Sequence, residues 1–89
     1  PSLDLAVVSA IASSNRDIAI NPTTVICGEV GLSGEVRSIS HLDRRVTEAE
    51  KLGFKKIICP AQNLKKFKHK TTIELIGVAT VHEALQHIL

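Results

Sequence analysis

The chain has no methionine, tryptophan or tyrosine, and only two phenylalanines and two cysteines among its 89 residues. Modules that bind nucleic acid by base stacking need aromatic platforms, so this shortage argues against them. Cohesion must come from Ile, Leu, Val and Ala. A hydrophobic share of 44% and a mean hydropathy of +0.16 still point to a chain that folds around a core. No apolar run approaches the roughly 20 residues needed to cross a bilayer, and no basic, apolar and small-residue series resembles a signal peptide. A soluble, cytoplasmic chain without a membrane partner is therefore expected. Cys27 and Cys59 each end an apolar, strand-like run, Val25-Ile26-Cys27 and Ile57-Ile58-Cys59, as buried free thiols do in a reducing compartment. They lack CxxC spacing, and with four scattered histidines they make no metal site.

The length allows one domain at most, taken here as residues 1–89. A domain of this size buries roughly 60 to 65% of its unfolded surface, so its stability is marginal and a partner surface is expected to contribute. The absence of methionine, with an apolar helix opening at once, suggests a piece of a longer protein. Loss of an initiator methionine before Pro1 would give the same start.

Between Leu3 and Ser14 the apolar positions nearly encircle a helix, with Asp4 favourable in its first turn, which predicts burial on most sides. Asn21-Pro22-Thr23 breaks the chain, and the β-branched run Thr24 to Val30 reads as a strand. Gly31-Leu-Ser-Gly34 is a turn from which Glu35 to Ile39 returns as a hairpin partner. Ser40 and Asp43 resemble a capping pair ahead of a helix with Leu42, Val46, Ala49 and Leu52 on one face, closed by Gly53. Its other face carries Arg44, Arg45, Glu48 and Lys51. Lys56 to Cys59 is a short buried strand ended by Pro60, and its β-α-β link to the strand before favours parallel pairing. Gln62 to Lys66 is one helical turn, Ile73 to Val78 another strand, and Thr80-Val-His-Glu83 a capping box opening a last helix with Val81, Leu85 and Ile88 inward. The expected class is α/β (α+β) with a mixed sheet.

Seven lysines and no acid lie between Lys51 and Lys70, a local charge of +7 against −5 for the remainder. A solvated loop that maintains solubility explains this, and so does an anion-binding surface for nucleic-acid phosphate. Phe67 inside the run either stacks on a base or anchors the loop. GlyGluValGlyLeuSerGlyGlu is no phosphate loop, because it lacks GKS or GKT and joins two strands. Glu29 and Glu35 flank the hairpin turn, where an acid and base pair is conceivable, but two exposed turn acids explain them as well. Ser38 or Ser40, His41 and Asp43 name a triad only on paper, since a working triad converges from different elements. His82 and His87 are five apart, off the spacing of a shared ligand. The sharper candidate is Ser2, at the threshold of the first helix, where a hydroxyl normally serves as N-cap and where a nucleophile would need a Lys or His base.

The segments PSLDLAVVSAIASS, CGEVGLSGEVR and EAEKLGFKKIICPAQN closely resemble the C-terminal domain of the RadA (Sms) family of bacterial DNA-repair proteins, and the resemblance runs along almost the whole chain. That domain is similar to the proteolytic domain of Lon, with the fold of the second domain of ribosomal protein S5. The resemblance implies that this chain corresponds to the later part of such a domain, with earlier strands lying upstream. Lon peptidases use a Ser-Lys dyad. Ser2 matches the serine of the ProSerAlaGly segment, although Asp4 stands where glycine is expected. The lysine of GlyGlyLeuLys falls on Asp43 of Ser40-His41-Leu42-Asp43. A carboxylate neither accepts a proton as a neutral amine does nor lowers the pKa of a neighbouring hydroxyl, and Arg44 and Arg45 stay protonated.

The dyad is thus expected to be broken, and the chain to carry no cofactor itself. The resemblance implies a parent with zinc-finger and RecA-like ATPase parts, using zinc, magnesium and ATP, acting on single-stranded or branched DNA as a ring of six. For this chain the leading expectation is a non-catalytic scaffold that forms homo-oligomers and offers Lys55, Lys56, Lys65, Lys66, Lys68 and Lys70, with Arg44 and Arg45, to DNA phosphates. The alternatives are an active serine peptidase using Ser2 with a base such as His41, and pure oligomerisation with an idle lysine loop.

Overall fold

A computed structural model describes residues 3–89. In order these are β1 (Leu3–Asp4), α1 (Leu5–Arg16), β2 (Thr24–Ile26), β3 (Glu29–Val30), β4 (Val36–Arg37), α2 (Leu42–Lys51), β5 (Lys56–Pro60), α3 (Ala61–Lys66), β6 (Glu74–Val78) and α4 (Val81–Ile88). The mixed α/β class is the expected one. The strands, however, form two small sheets instead of one mixed sheet: a parallel sheet in the order β2-β5-β6 and an antiparallel one in the order β1-β3-β4.

The division begins at Gly28. The run expected as one strand from Thr24 to Val30 breaks there, at a φ of +150° that side chains rarely adopt. A Cβ at this position would come within 3.0 Å of Val36 Cγ1. Before the break, Thr24, Val25 and Ile26 pair in parallel with Lys56, Ile57 and Ile58. Beyond it, Glu29 and Val30 pair with Arg37 and Val36 across the hairpin. The parallel neighbour of β5 is therefore β2, not the hairpin strand that immediately precedes α2. The predicted second strand is also shorter, because Ile39 leaves the ladder to bond through its amide and carbonyl to the Asn63 side chain, both at 2.8 Å.

A central strand of a parallel sheet is covered on both faces, and β5 shows this by alternation. Ile57 and Cys59 join a core with Cys27, Leu42, Val46, Ala49 and Ile73. Ile58 points the other way, into a core with Leu5, Val30, Val36, Val78 and Ala84. Helix α3 lies so close on β6 that a Cβ on Gly77 would meet Leu64 Cδ2 at 2.9 Å. Both cysteines are free and buried. Burial, with a smaller contribution from Cys59, pushes the Cys27 thiol up to about 12, and burial pushes Cys59 up to about 11.

The helix ends differ from expectation in instructive ways. Asp4 is itself the N-cap of α1, its Oδ1 accepting the amides of Ala6 at 2.7 Å and Val7 at 3.3 Å; Ser2, the expected cap, lies outside the described residues. Helix α1 is not buried on most sides. Leu5 and Ser9 face the core, while Val7 and Ile11 are 55% and 60% exposed, because the small antiparallel sheet and α4 reach one side only. Helix α2 starts from His41 in the left-handed region at φ 60°, without a side-chain cap. The expected Ser40 and Asp43 capping pair does not form. Thr80 does cap α4, its Oγ1 accepting the Glu83 amide at 3.1 Å, but Glu83 reaches back to the amide of Ala79 at 2.7 Å.

Candidate nucleic-acid interface

The lysines come from three places in the fold. Lys55 and Lys56 lead into β5, Lys65 and Lys66 form the last turn of α3, and Lys68 and Lys70 lie on the loop that returns to β6. Since Lys56 is opposite Glu74 in the ladder, that loop brings the chain back to the end where β5 begins. Lys56 is half-buried, with Nζ 4.0 Å from Glu74 Oε1. Lys55, Lys65, Lys66, Lys68 and Lys70 are exposed, and none has a carboxylate partner among the described residues.

The loop is fastened along α2 at two points. His69 Nε2 stands 3.8 Å from Asp43 Oδ2. Two residues on, the Thr71 hydroxyl donates to Glu50 Oε1 at 2.7 Å and accepts the Ile73 amide at 3.1 Å. Phe67 is half-buried against the core and meets the His69 ring edge-on, centroids 5.6 Å apart. Of the two readings of Phe67, the loop anchor is the one observed. Asp43 and Glu50 of α2 thus hold the loop through His69 and Thr71 and not through its lysines. Asp43 and Glu50 are seven apart on a helix and share a face, a signal the charge count alone passed over.

Arg44 and Arg45 are exposed on another side of α2. They line an open groove of about 600 Å³ with Val25, Glu48, Leu52 and Phe54. Asp43, Lys66 and His69 instead line a separate cleft of about 210 Å³, and His41 touches both. The structure does not bring the two arginines together with Lys65, Lys66, Lys68 and Lys70.

The paper triad is not assembled: the Ser38 hydroxyl donates to Gln62 Oε1 at 2.7 Å, while the Asp43 carboxylate turns to His69. The imagined acid pair across the hairpin dissolves as well. Glu29 is in register with Arg37, and Glu35 accepts the Ser33 amide at 3.1 Å and the Arg37 guanidinium at 3.3 Å. Backbone and Arg37 hydrogen bonds hold the Glu35 carboxyl below its usual range. His82 and His87 are exposed on α4, where His82 Nε2 lies 3.3 Å from the Gln86 side-chain nitrogen. Among the described residues no three His, Cys, Asp or Glu side chains converge as a metal site, and no helix is long and apolar enough to cross a membrane.

Residues 1–89 match the Lon protease C-terminal proteolytic domain. The chain is 55% identical over 86 residues to the DNA repair protein RadA of Bacillus subtilis and 51% identical over 86 residues to that of Halalkalibacterium halodurans. Each alignment covers 97% of this chain and 19% of the relative. The RadA of Streptococcus pneumoniae is 43% identical over 88 residues, covering 99% of this chain and 21% of the relative. The chain spans about a fifth of the length of these relatives. With the whole chain matched to one domain and nearly all of it to proteins of one kind, the chain belongs to the Lon C-terminal proteolytic domain family, in the form found in RadA-type DNA-repair proteins.

Proposed function

We propose that this chain is a non-catalytic scaffold and DNA-contacting domain of a cytoplasmic RadA-type repair and recombination ATPase that assembles as a ring of six. Zinc, magnesium and ATP belong to other parts of that parent. The observation that carries the DNA contact is the set of Lys65, Lys66, Lys68 and Lys70, all exposed on one short stretch and without carboxylate partners among the described residues. Ammonium groups so placed neutralise phosphates and release counterions, which gives binding without sequence preference. Lys55 is exposed at the start of β5, Lys56 contributes less because Glu74 shares its charge, and Arg44 and Arg45 would meet phosphates only along a second path. The scaffold part is supported by Val7 and Ile11 of α1, whose apolar side chains suit a partner surface better than water.

Asp43 is the reason for excluding peptidase chemistry. Where the Lon motif carries its lysine this chain presents a carboxylate, which cannot lower the pKa of a serine hydroxyl. Ser2 labelling by a serine-directed phosphonate, with peptide hydrolysis lost in Ser2→Ala, would overturn that exclusion. For the DNA contact, the test is a salt series. Four phosphate contacts on duplex give a slope of log affinity against log salt of roughly −3 to −4; a slope near zero rejects the contact.

A further inference from the structure

The cleft between the first turn of α2 and the loop after α3 places one carboxylate beside a lysine and two histidines. Asp43, Lys66, Phe67 and His69 wall it, with His41 and Asn63 beside them. The Asn63 amide is used on both sides by the backbone of Ile39, so the polar groups left facing the cleft are Asp43, Lys66, His69 and His41. The Phe67 ring fixes the position of the imidazole from one side. At 3.8 Å the Asp43 carboxylate is within ion-pair reach of His69 but beyond a normal hydrogen bond. Nothing ties the two so firmly that an anion could not come between them.

A phosphate entering this cleft would find the ammonium of Lys66 and the ring of His69, and beside them a group of its own charge. We propose that Asp43 is a built-in competitor of phosphate: it occupies the cation cluster of the free domain, must give up His69 when DNA enters, and so limits the affinity of the lysine surface. The inference rests on the DNA contact proposed above and assigns it a regulatory residue.

The test measures anisotropy of labelled duplex DNA at 50 mM and 200 mM salt with the 89-residue chain and two charge-matched variants. Asp43→Asn removes the competitor. Glu48→Gln removes one negative charge from the same helix on the side of the arginine groove. Asp43 is exposed, so a thermal melt of Asp43→Asn is expected to match the parent. The competitor account expects Asp43→Asn to bind three- to tenfold tighter at 50 mM salt, with a salt slope steeper by roughly one contact, and Glu48→Gln to change affinity less than twofold. Equal affinities of Asp43→Asn and Glu48→Gln, with the parent binding normally, overturn the competitor and leave the DNA contact standing. Absence of binding by the parent and Asp43→Asn alike overturns both. Binding by Asp43→Asn alone upholds the competitor in its strongest form.

Discussion

The amide of Leu5 donates to the carbonyl of Gly28 at 2.9 Å, pinning the first residue of α1 to the point where the β2 to β3 run changes sheets. Leu5 is fully buried and Asp4, next to it, caps the helix, so cap, core contact and strand break act on one spot.

Asp4→Ala leaves the Ala6 and Val7 amides without their acceptor and is expected to cost about 1 kcal/mol, the usual value of a side-chain N-cap. Gly28→Ala is expected to cost more, about 1–3 kcal/mol, since it adds backbone strain and crowds Val36. Urea unfolding measures both, as lower midpoints at an unchanged slope. A cost for Asp4→Ala as large as that for Gly28→Ala would mean that the carboxylate does more than cap.

Much of this fold was legible in the sequence because its signals are local. Of the face expected from Leu42, Val46, Ala49 and Leu52, the first three are buried and Leu52 is 73% exposed; the strand expected from Lys56 to Cys59 was visible from its apolar run and runs on through Pro60, and the Thr80 cap was visible from its hydroxyl. The division into two sheets was not, since Thr24 to Val30 is uniformly suited to a strand and only the approach of Val36 to Gly28 shows why it breaks. The exposure of Val7 and Ile11 was hidden for the same reason: periodicity says which residues are apolar, not how many neighbours arrive to cover them. At the candidate interface the lysine run was plain, but the pairing of Asp43 with His69 joins residues 26 positions apart, and no local pattern announces it.

The buried thiols make stability fall in alkali. Both fold with pKa values raised from the ordinary 9.0, to about 12 for Cys27 and about 11 for Cys59. Below pH 9 each thiol is protonated in the folded and unfolded chain alike, and pH has no effect through it. Above pH 9 the unfolded chain releases the proton first, so stability drops by about 1.4 kcal/mol per pH unit for each thiol until the folded pKa is reached. Urea midpoints at pH 8, 9 and 10 check this: little change over the first step and a clear fall over the second, absent in the double variant Cys27→Ala with Cys59→Ala. A fall of equal size in that variant would refute the assignment.

The apolar side of α1 provides a test of the scaffold role. Val7→Asp with Ile11→Asp places two charges at positions already more than half exposed, so folding is expected to change by less than about 1 kcal/mol. Light scattering of the parent chain should show a multimer that the double variant loses. A multimer of the same mass in both would move the interface elsewhere on the surface.

The central claim is that Lys65, Lys66, Lys68 and Lys70 hold DNA. The most direct measurement compares the parent chain with a variant in which all four are changed to Glu, by anisotropy of labelled single-stranded and duplex DNA at low salt. These side chains are exposed and without carboxylate partners among the described residues, so the variant should fold as the parent does. The account predicts binding by the parent that weakens as salt rises and no binding by the variant. Equal binding by the two chains, or none by the parent and by Asp43→Asn alike at low salt, would contradict it.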